Sequence, residues 1–158
     1  MTQPTDSDVS NREIVISREY EAPRELVYRA FTEPEHIVHW WDPNGFTNTI
    51  HAMEVRPGGL WRFIMHGPDG SDYPNRIRYL EVVPSERLVY LHGDDIDNAP
   101  DDFEVTVTFE TVGEKTRLTM RLLFQTAEQC AKTKEFGAIE LGKQTLGRLA
   151  NYLKTMQP

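Results

Sequence analysis

The chain has 158 residues, a length typical of one domain that buries roughly 70% of its unfolded surface without a disulfide or a metal. Its 17 Lys and Arg against 25 Asp and Glu give a net charge of −8, and such a field repels phosphate backbones and anionic lipid surfaces. A nucleic-acid partner is therefore not expected. The single cysteine, Cys130, excludes an internal disulfide and any paired-cysteine zinc or redox site.

The N-terminal segment, residues 1–11, is polar and acidic and lacks the basic start and apolar stretch of a signal peptide. We predict a short disordered tail there, followed by one domain over residues 12–158. No apolar run approaches the ~20 residues that a membrane span requires. The sequence therefore predicts a cytoplasmic protein without a membrane span.

The first elements are a strand and two short helices. Alternating apolar residues from Ile14 to Tyr20 predict the strand, and Pro23 suits the first turn of a helix with an apolar face. Thr32 and Glu35 have the spacing of a capping box, which predicts a second short helix. That helix would carry Ile37, Trp40 and Trp41, until Asp42 and Pro43 end it.

The middle of the chain has the period-two pattern of half-buried strands, interrupted by short turn signals rich in Gly and Pro. The predicted strands lie near residues 47–55, 59–66, 73–83, 86–92, 102–111 and 115–125. The connections are too short for crossover helices, so we predict an antiparallel sheet.

The end of the chain predicts one long helix from about residue 126 to about residue 155, with no proline before Pro158. Its apolar residues cover an arc of about 220°, which is wider than the stripe of an ordinary surface helix. Gly142 lies near the middle of this arc. Either a close approach of helix and sheet or room for a ligand would explain that glycine, and we favour the close approach.

Together these elements predict an α+β helix-grip fold. A curved seven-stranded antiparallel sheet would wrap around a long C-terminal helix, with two short helices after the first strand. A bent sheet and a single helix do not easily fill the space between them, so we expect a cavity beside the helix.

Familiar catalytic motifs are absent: the sequence has no nucleophile elbow, phosphate-binding loop, dinucleotide fingerprint or zinc-protease motif. His36 and His39 lack an evident third ligand, so we predict no metal there, and no cofactor is expected. The strand histidines His51, His66 and His92 are best explained as hydrogen-bonding groups at strand ends. Any of them that points inward would be a polar contact to a ligand or a general base. We assign no catalytic residue.

A run of acidic residues in one loop predicts a solvated surface and not a calcium site, because the EF-hand glycine and terminal glutamate are missing. The aromatic side chains are more informative, since a subset of them would line an incompletely filled cavity. The predicted ligand-binding cavity comprises Trp41, Phe46, Trp61, Phe63, Met65, Tyr79, Phe103, Val105, Met120, Ile139, Gly142 and Leu146.

Several motifs, in their order along the chain, resemble a known family. They lie at residues 21–28, 31–35, 40–43, 56–61, 68–70, 81–88 and 142–153, and include Trp40-Trp41-Asp42-Pro43 and Arg56-Pro57-Gly58-Gly59. The sequence resembles the SRPBCC (START/Bet v-like) superfamily, and within it the branch similar to the C-terminal domain of the activator of heat shock protein 90 ATPase. This resemblance implies a helix-grip fold with a deep hydrophobic cavity, in a superfamily that binds lipids, polyketides, hormones and other apolar molecules.

We therefore expect a binding protein whose cavity accepts an apolar or aromatic small molecule, lipid-like or polyketide-like, in a monomer or a homodimer. Two alternatives remain open. One is a protein-interaction module that acts on a chaperone, which the resemblance alone implies. The other is an enzyme, such as a cyclase or hydrolase, that uses inward-facing His, Glu or Tyr side chains in the same cavity.

Overall fold

The computed structural model describes residues 10–97 and 99–157. The first nine residues of the predicted disordered tail lie outside this described part. In chain order the elements are β1 (Glu13–Tyr20), α1 (Arg24–Thr32), α2 (Pro34–Ile37), β2 (Thr47–Met53), β3 (Leu60–His66), β4 (Asp72–Val83), β5 (Arg87–Asp94), β6 (Phe103–Val112), β7 (Lys115–Leu123), α3 (Ala127–Glu135) and α4 (Ala138–Met156).

The seven strands form one antiparallel sheet in the order β1-β7-β6-β5-β4-β3-β2. Consecutive strands from β2 to β7 pair as hairpins, and β1 joins the free edge of β7 with Ile16 opposite Met120. Register shifts in the β2–β3 and β4–β5 pairs bend and twist the sheet locally. The structure confirms the predicted antiparallel sheet. The turns between consecutive strands are too short for a crossover connection, so neighbouring strands run in opposite directions.

The inner face of the sheet and helix α4 share one apolar core. Val105, Val107 and Phe109 of β6 are buried on the sheet side, and Leu146, Leu149 and Leu153 are buried on the helix side. The hydroxyl of Tyr20 donates a buried hydrogen bond of 2.8 Å to the carbonyl of Leu146 and so fastens β1 to α4. The predicted helix-grip fold is confirmed. None of the described helices is long and apolar enough to cross a bilayer.

The C-terminal helix is not continuous, and the prediction of one helix over residues 126–155 was wrong in this respect. α3 ends at Glu135, and Gly137 adopts a left-handed backbone conformation with φ of +95° before α4 begins at Ala138. Glycine populates positive φ without the steric penalty that a Cβ imposes, so it permits this break. The break separates the two helices at the N-terminal end of α4.

The second short helix is also shorter than predicted. α2 contains residues 34–37 only, and Trp40 and Trp41 follow it in a turn. The expected capping box does not form, because Glu33 is the N-cap and makes no side-chain cap hydrogen bond. The hydroxyl of Thr32 donates instead to the carbonyl of Tyr28 in the preceding helix, which removes it from the capping position.

Gly142 lies where α4 approaches β1 closely. A Cβ atom added at this glycine would lie 2.7 Å from Cδ1 of Ile16, so the tip of that side chain would have to move. The favoured explanation of this glycine, a close approach of helix and sheet, therefore agrees with the structure. The same residue also lies on the wall of a cavity, so the two explanations are not exclusive.

This contact predicts non-additive effects on stability. Alanine at position 142 would gain up to about 1 kcal/mol in helix propensity, but displacing the tip of Ile16 should offset part of that gain in the wild-type protein. Ile16→Val removes the clashing Cδ1 atom at a cost of about 0.5–1.5 kcal/mol. We therefore expect Gly142→Ala to stabilise the Ile16→Val background more than the wild-type protein, as measured by urea unfolding of the four proteins. Equal effects in both backgrounds would contradict this account.

Candidate functional site

A cavity of about 310 Å³ lies between the inner face of the sheet and the first half of α4. Its lining is almost entirely apolar and comes from the sheet, from α4 and from the connecting segments at the two ends. The lining residues are Trp41, Pro43, Met65, Tyr90, His92, Phe103, Val105, Met120, Leu122, Phe136, Ala138, Leu141, Gly142, Thr145 and Leu146.

The helix wall follows from the periodicity of α4. Ala138, Leu141, Gly142, Thr145 and Leu146 are separated by alternating steps of three and one residues, so they form one stripe along the helix. The hydroxyl of Thr145 donates to the carbonyl of Leu141, so its hydrogen is not available to a molecule in the cavity. The helix therefore presents a smooth apolar surface.

The sheet wall follows from the two-residue alternation of three neighbouring strands. Tyr90 and His92 come from β5, Phe103 and Val105 from β6, and Met120 and Leu122 from β7. Tyr90 lies opposite Val105, and Val105 opposite Leu122, so these side chains lie side by side on the inner face. The two methionines of the lining, Met65 and Met120, provide flexible apolar side chains that adapt to the shape of a bound molecule.

The two ends of the cavity are formed by connecting segments. Trp41 and Pro43 belong to the loop between α2 and β2, and both are buried. Phe136 lies at the junction of α3 and α4 and is 79% exposed, a large exposure for a phenylalanine. The end of the cavity at Trp41 is therefore closed by a buried aromatic side chain, whereas the end at Phe136 is formed by a solvent-exposed ring.

Arg148 of α4 fastens the Trp41 loop to the helix. Its guanidinium donates to the backbone carbonyls of Asp42 at 2.7 Å, His39 at 3.2 Å and Pro43 at 3.3 Å. The backbone N–H of Asn44 also donates to the side chain of Gln144, at 3.2 Å. Helix α4 therefore has two roles: it forms one wall of the cavity, and through Arg148 and Gln144 it holds the loop that closes one end of the cavity.

Removal of this tether should be costly. We expect Arg148→Met, which keeps the apolar stem of the side chain, to lower the free energy of unfolding by about 1.5–3 kcal/mol, because several charge-assisted hydrogen bonds are lost. Lys143→Met on the same helix is the matched control, since Lys143 is exposed and its replacement should stay within about 0.5 kcal/mol. Urea denaturation measures both. Equal effects of the two substitutions would contradict a tethering role.

Asp42 is a buried acid beside this loop, with 1% of its surface exposed. The Asn48 amide donates to Oδ2 of Asp42 at 2.6 Å, whereas Oδ1 has no hydrogen-bond partner among the described residues. Burial raises the pKa of Asp42, and the hydrogen bond from Asn48 and the charge of Arg148 oppose that rise. The neutral form of this carboxyl is therefore favoured more than in an exposed aspartate.

His92 is the one histidine in the cavity lining. Its Nε2 lies 2.9 Å from Oδ1 of Asn75, and the amide nitrogen of Asn75 donates in turn to the carbonyl of Tyr73 at 2.7 Å. The rings of Phe103, Phe63 and Trp41 surround the imidazole, with centroid distances of 5.2, 6.0 and 6.4 Å. Burial among these rings lowers the pKa of His92 to about 4, so the imidazole is neutral at physiological pH.

Tyr90 is the second polar residue of the lining. Its side chain is buried, and its ring packs edge to face against Tyr79 at a centroid distance of 6.0 Å. Burial raises the pKa of Tyr90, so the phenol keeps its proton throughout the physiological range. The cavity therefore combines a large apolar surface with a few neutral polar atoms.

Seven of the twelve residues that the sequence assigned to the cavity lie on its wall. They are Trp41, Met65, Phe103, Val105, Met120, Gly142 and Leu146. Whether they contact a ligand stays a prediction.

Phe46, Trp61, Phe63, Tyr79 and Ile139 do not line this cavity. Trp61 and Phe63 stack on each other at 4.4 Å, and Trp41 packs against both, so the space beside them is filled. Tyr79 is buried next to Tyr90, and Phe46 pairs with Tyr73 at 6.2 Å. Ile139 lies off the helical stripe that faces the cavity.

Sequence reasoning did not assign Pro43, Tyr90, His92, Leu122, Phe136, Ala138, Leu141 and Thr145 to the cavity. Tyr90, His92 and Leu122 could have been assigned to the inner face of the sheet, because each continues the two-residue alternation of a strand with buried neighbours. Leu141 and Phe136 belonged to the wide apolar arc of the helix. No local pattern indicated Pro43, because loop geometry alone brings it to the cavity.

The other groups singled out in the sequence lie outside the cavity lining. Nδ1 of His36 is 2.7 Å from the hydroxyl of Tyr152, and His39 stacks on the same tyrosine ring. Glu33, Glu35 and His36 each place one oxygen or nitrogen within 4.8 Å of the others, and Arg29 and Tyr152 already engage Glu33 and His36. Asp95 of the acidic loop is paired with Arg62 and Arg76.

The comparisons with solved structures agree with the fold. A Chromobacterium violaceum protein is 27% identical, with a TM-score of 0.77 over 90% of this chain and 96% of its own. A Nitrosomonas europaea protein is 25% identical, with a TM-score of 0.84 over 94% and 97%. The protein named AHSA1 from Silicibacter pomeroyi is 18% identical, with a TM-score of 0.75 over 92% and 99%, a similarity of fold alone.

No curated protein matches the sequence. A family model described as "Activator of Hsp90 ATPase homolog 1-like protein" matches residues 21–154, which include every element from α1 to α3 and nearly all of α4. Because the match covers most of the chain, and because the order of elements is that of a helix-grip fold, the protein belongs to the Activator of Hsp90 ATPase homolog 1-like family within the SRPBCC superfamily.

Proposed function

We propose that this protein binds a small apolar or aromatic molecule in the cavity between the sheet and α4. The observation that carries the proposal is the cavity itself, whose lining is apolar on both walls and whose volume is about 310 Å³. Ligand pockets in proteins span roughly 300–1,000 Å³, so this volume suits a compact molecule of about two fused rings or a short acyl chain. The buried free thiol of Cys130 fits a reducing compartment, so we place this role in the cytoplasm.

A fluorescence titration tests this function. N-phenyl-1-naphthylamine is a neutral, apolar aromatic probe whose emission rises and shifts to the blue when it leaves water. We expect a saturable, one-site increase in fluorescence on titration with the purified protein. Emission that stays at the level given by an equal mass of a protein without a cavity would contradict the proposal.

A second candidate function is interaction with a chaperone, which the name of the matching family suggests. If it is right, the protein should co-purify with the cognate heat shock protein 90 and stimulate its ATPase. An unchanged ATPase rate at saturating protein would remove this candidate. That result leaves the cavity proposal unaffected, because ligand binding is measured on the isolated protein without the chaperone.

A third candidate is catalysis in the same cavity. The neutral His92 is the group that would act as a base, but a pKa of about 4 makes it a weak one at physiological pH. The apolar lining and this low basicity support binding over proton-transfer chemistry. A fast chemical change in a bound ligand, lost in His92→Phe, would reverse that preference.

A further inference from the structure

The cavity wall holds a histidine whose hydrogen-bonding state is fixed by its neighbours. The amide nitrogen of Asn75 donates to the Tyr73 carbonyl at 2.7 Å, so the side-chain oxygen of Asn75 is the atom that faces Nε2 of His92, at 2.9 Å. An amide oxygen only accepts hydrogen bonds. In the neutral ring Nε2 therefore carries the hydrogen, and Nδ1 has the free lone pair.

Nδ1 of His92 is consequently an acceptor that has no hydrogen-bond partner among the described residues of the chain. The rings of Phe103, Phe63 and Trp41 lie near the imidazole at centroid distances of 5.2 to 6.4 Å, and the indole N–H of Trp41 makes no hydrogen bond to Nδ1. The imidazole also stays neutral, so Nδ1 remains an acceptor at physiological pH. The cavity wall thus includes an imidazole nitrogen that can accept a hydrogen bond and cannot donate one.

The other polar side chains of the lining are Trp41, Tyr90 and Thr145, and the indole N–H of Trp41 only donates. The phenol of Tyr90 either donates or accepts, so it suits ligands of both kinds. The hydroxyl hydrogen of Thr145 is used by the Leu141 carbonyl at 3.2 Å, so its oxygen is left as an acceptor. Nδ1 of His92 and Oγ1 of Thr145 are therefore the side-chain atoms of the lining that favour a ligand with a donor, and of these Nδ1 makes no hydrogen bond to another described residue.

We propose that Nδ1 of His92 accepts a hydrogen bond from the ligand, and that the cavity therefore selects apolar molecules with one O–H or N–H donor, such as phenols, over isosteric ethers. This inference rests on the proposed ligand binding and specifies its chemistry. Asn75 acts through His92 as a positioning residue. An anionic ligand is disfavoured, because the lining offers no positive charge to it and an ionised phenolate has no hydrogen to donate.

Two ligands of nearly the same shape test this selection. 1-Naphthol has one O–H donor, whereas 1-methoxynaphthalene has none. We expect the wild-type protein to bind 1-naphthol about tenfold more tightly in calorimetric titrations, which is the effect of one net hydrogen bond. In His92→Phe, which keeps an aromatic ring, the ratio should fall to about one while the methyl ether still binds.

His51→Phe is the matched control, since His51 is exposed on β2 and the tenfold ratio should survive there. Equal affinities in the wild-type protein, or a tenfold ratio that persists in His92→Phe, would overturn the inference and leave the proposed function intact. If neither ligand binds the wild-type protein, the proposed function fails for two-ring aromatics, and this inference fails with it.

A second measurement does not depend on the folding of a variant. In ¹⁵N-histidine-labelled wild-type protein, the long-range ¹⁵N–¹H spectrum should show Nε2 of His92 protonated and Nδ1 unprotonated. Addition of 1-naphthol should shift the Nδ1 resonance, and 1-methoxynaphthalene should shift it much less. In Asn75→Leu the two tautomers should mix and the preference for 1-naphthol should decrease. A protonated Nδ1 in the wild-type protein would overturn the inference.

Discussion

Val105→Trp should weaken binding of N-phenyl-1-naphthylamine at least tenfold. Val105 is 2% exposed on β6, and its inner-face position puts an indole at the floor of the cavity, between Tyr90 and Leu122. The added ring occupies space that the probe needs, and it removes apolar contact area that stabilises the bound probe by roughly 25 cal/mol per Å². Fluorescence titration of the variant measures the loss.

Thr106→Trp is the matched control for this substitution. Thr106 is the next residue of the same strand and points to the outer face, so the same large ring there should leave the affinity for the probe unchanged. Leu141→Trp approaches the cavity from the α4 wall and should weaken binding as Val105→Trp does. Unaltered affinity in both cavity variants, with thermal unfolding confirming that they fold, would place the probe elsewhere.

His92 should make the protein less stable in mild acid. Its pKa is 6.5 in the unfolded chain and about 4 in the folded protein, so between these values the unfolded state binds more protons. The stability that comes from the neutral ring is fully present above about pH 6.5 and is lost as the pH falls toward 4. A difference of this size corresponds to about 3.4 kcal/mol in total, of which about 2–3 kcal/mol is lost by pH 4.5.

The measurement is the free energy of urea unfolding between pH 7.5 and 4.5 for the wild-type protein and His92→Phe. We expect the wild-type protein to lose about 2–3 kcal/mol relative to the variant over this range. The raised pKa of Asp42 acts in the opposite direction, and the lowered pKa values of Asp95 and Asp97 act at lower pH. These groups are common to both proteins, so their effects cancel in the difference. Parallel pH curves would contradict a partly buried imidazole that stays neutral in the folded protein.

The fold could be predicted from the sequence because local patterns determine most of it. The alternation in β6 and the short turns between strands gave the sheet, and the predicted strand bounds differ from the observed ones by only a few residues. The interruption at Gly137 could not be predicted in this way, since a glycine is tolerated within a helix and only the tertiary contacts decide whether it adopts positive φ.

The candidate site was predicted less completely, for a physical reason. Periodicity shows which face of an element is buried, but it does not show whether neighbouring side chains fill the space in front of that face. Trp61 and Phe63 are buried as expected, yet Trp41 packs on them and leaves no room. The tautomer of His92 depends on Asn75, a partner 17 residues away on the neighbouring strand, and no local pattern indicates such a pair.

The most direct test of the cavity as a ligand site is a ¹³C-methyl NMR titration of methionine-labelled protein with 1-naphthol. Met65 and Met120 line the cavity, whereas Met53 and Met156 lie outside its lining, so the chain carries its own internal controls. Saturable shifts should occur at Met65 and Met120, with Met53 and Met156 nearly unchanged. Shifts confined to Met53 or Met156, or no shift at any methionine, would show that the space beside α4 does not hold the ligand.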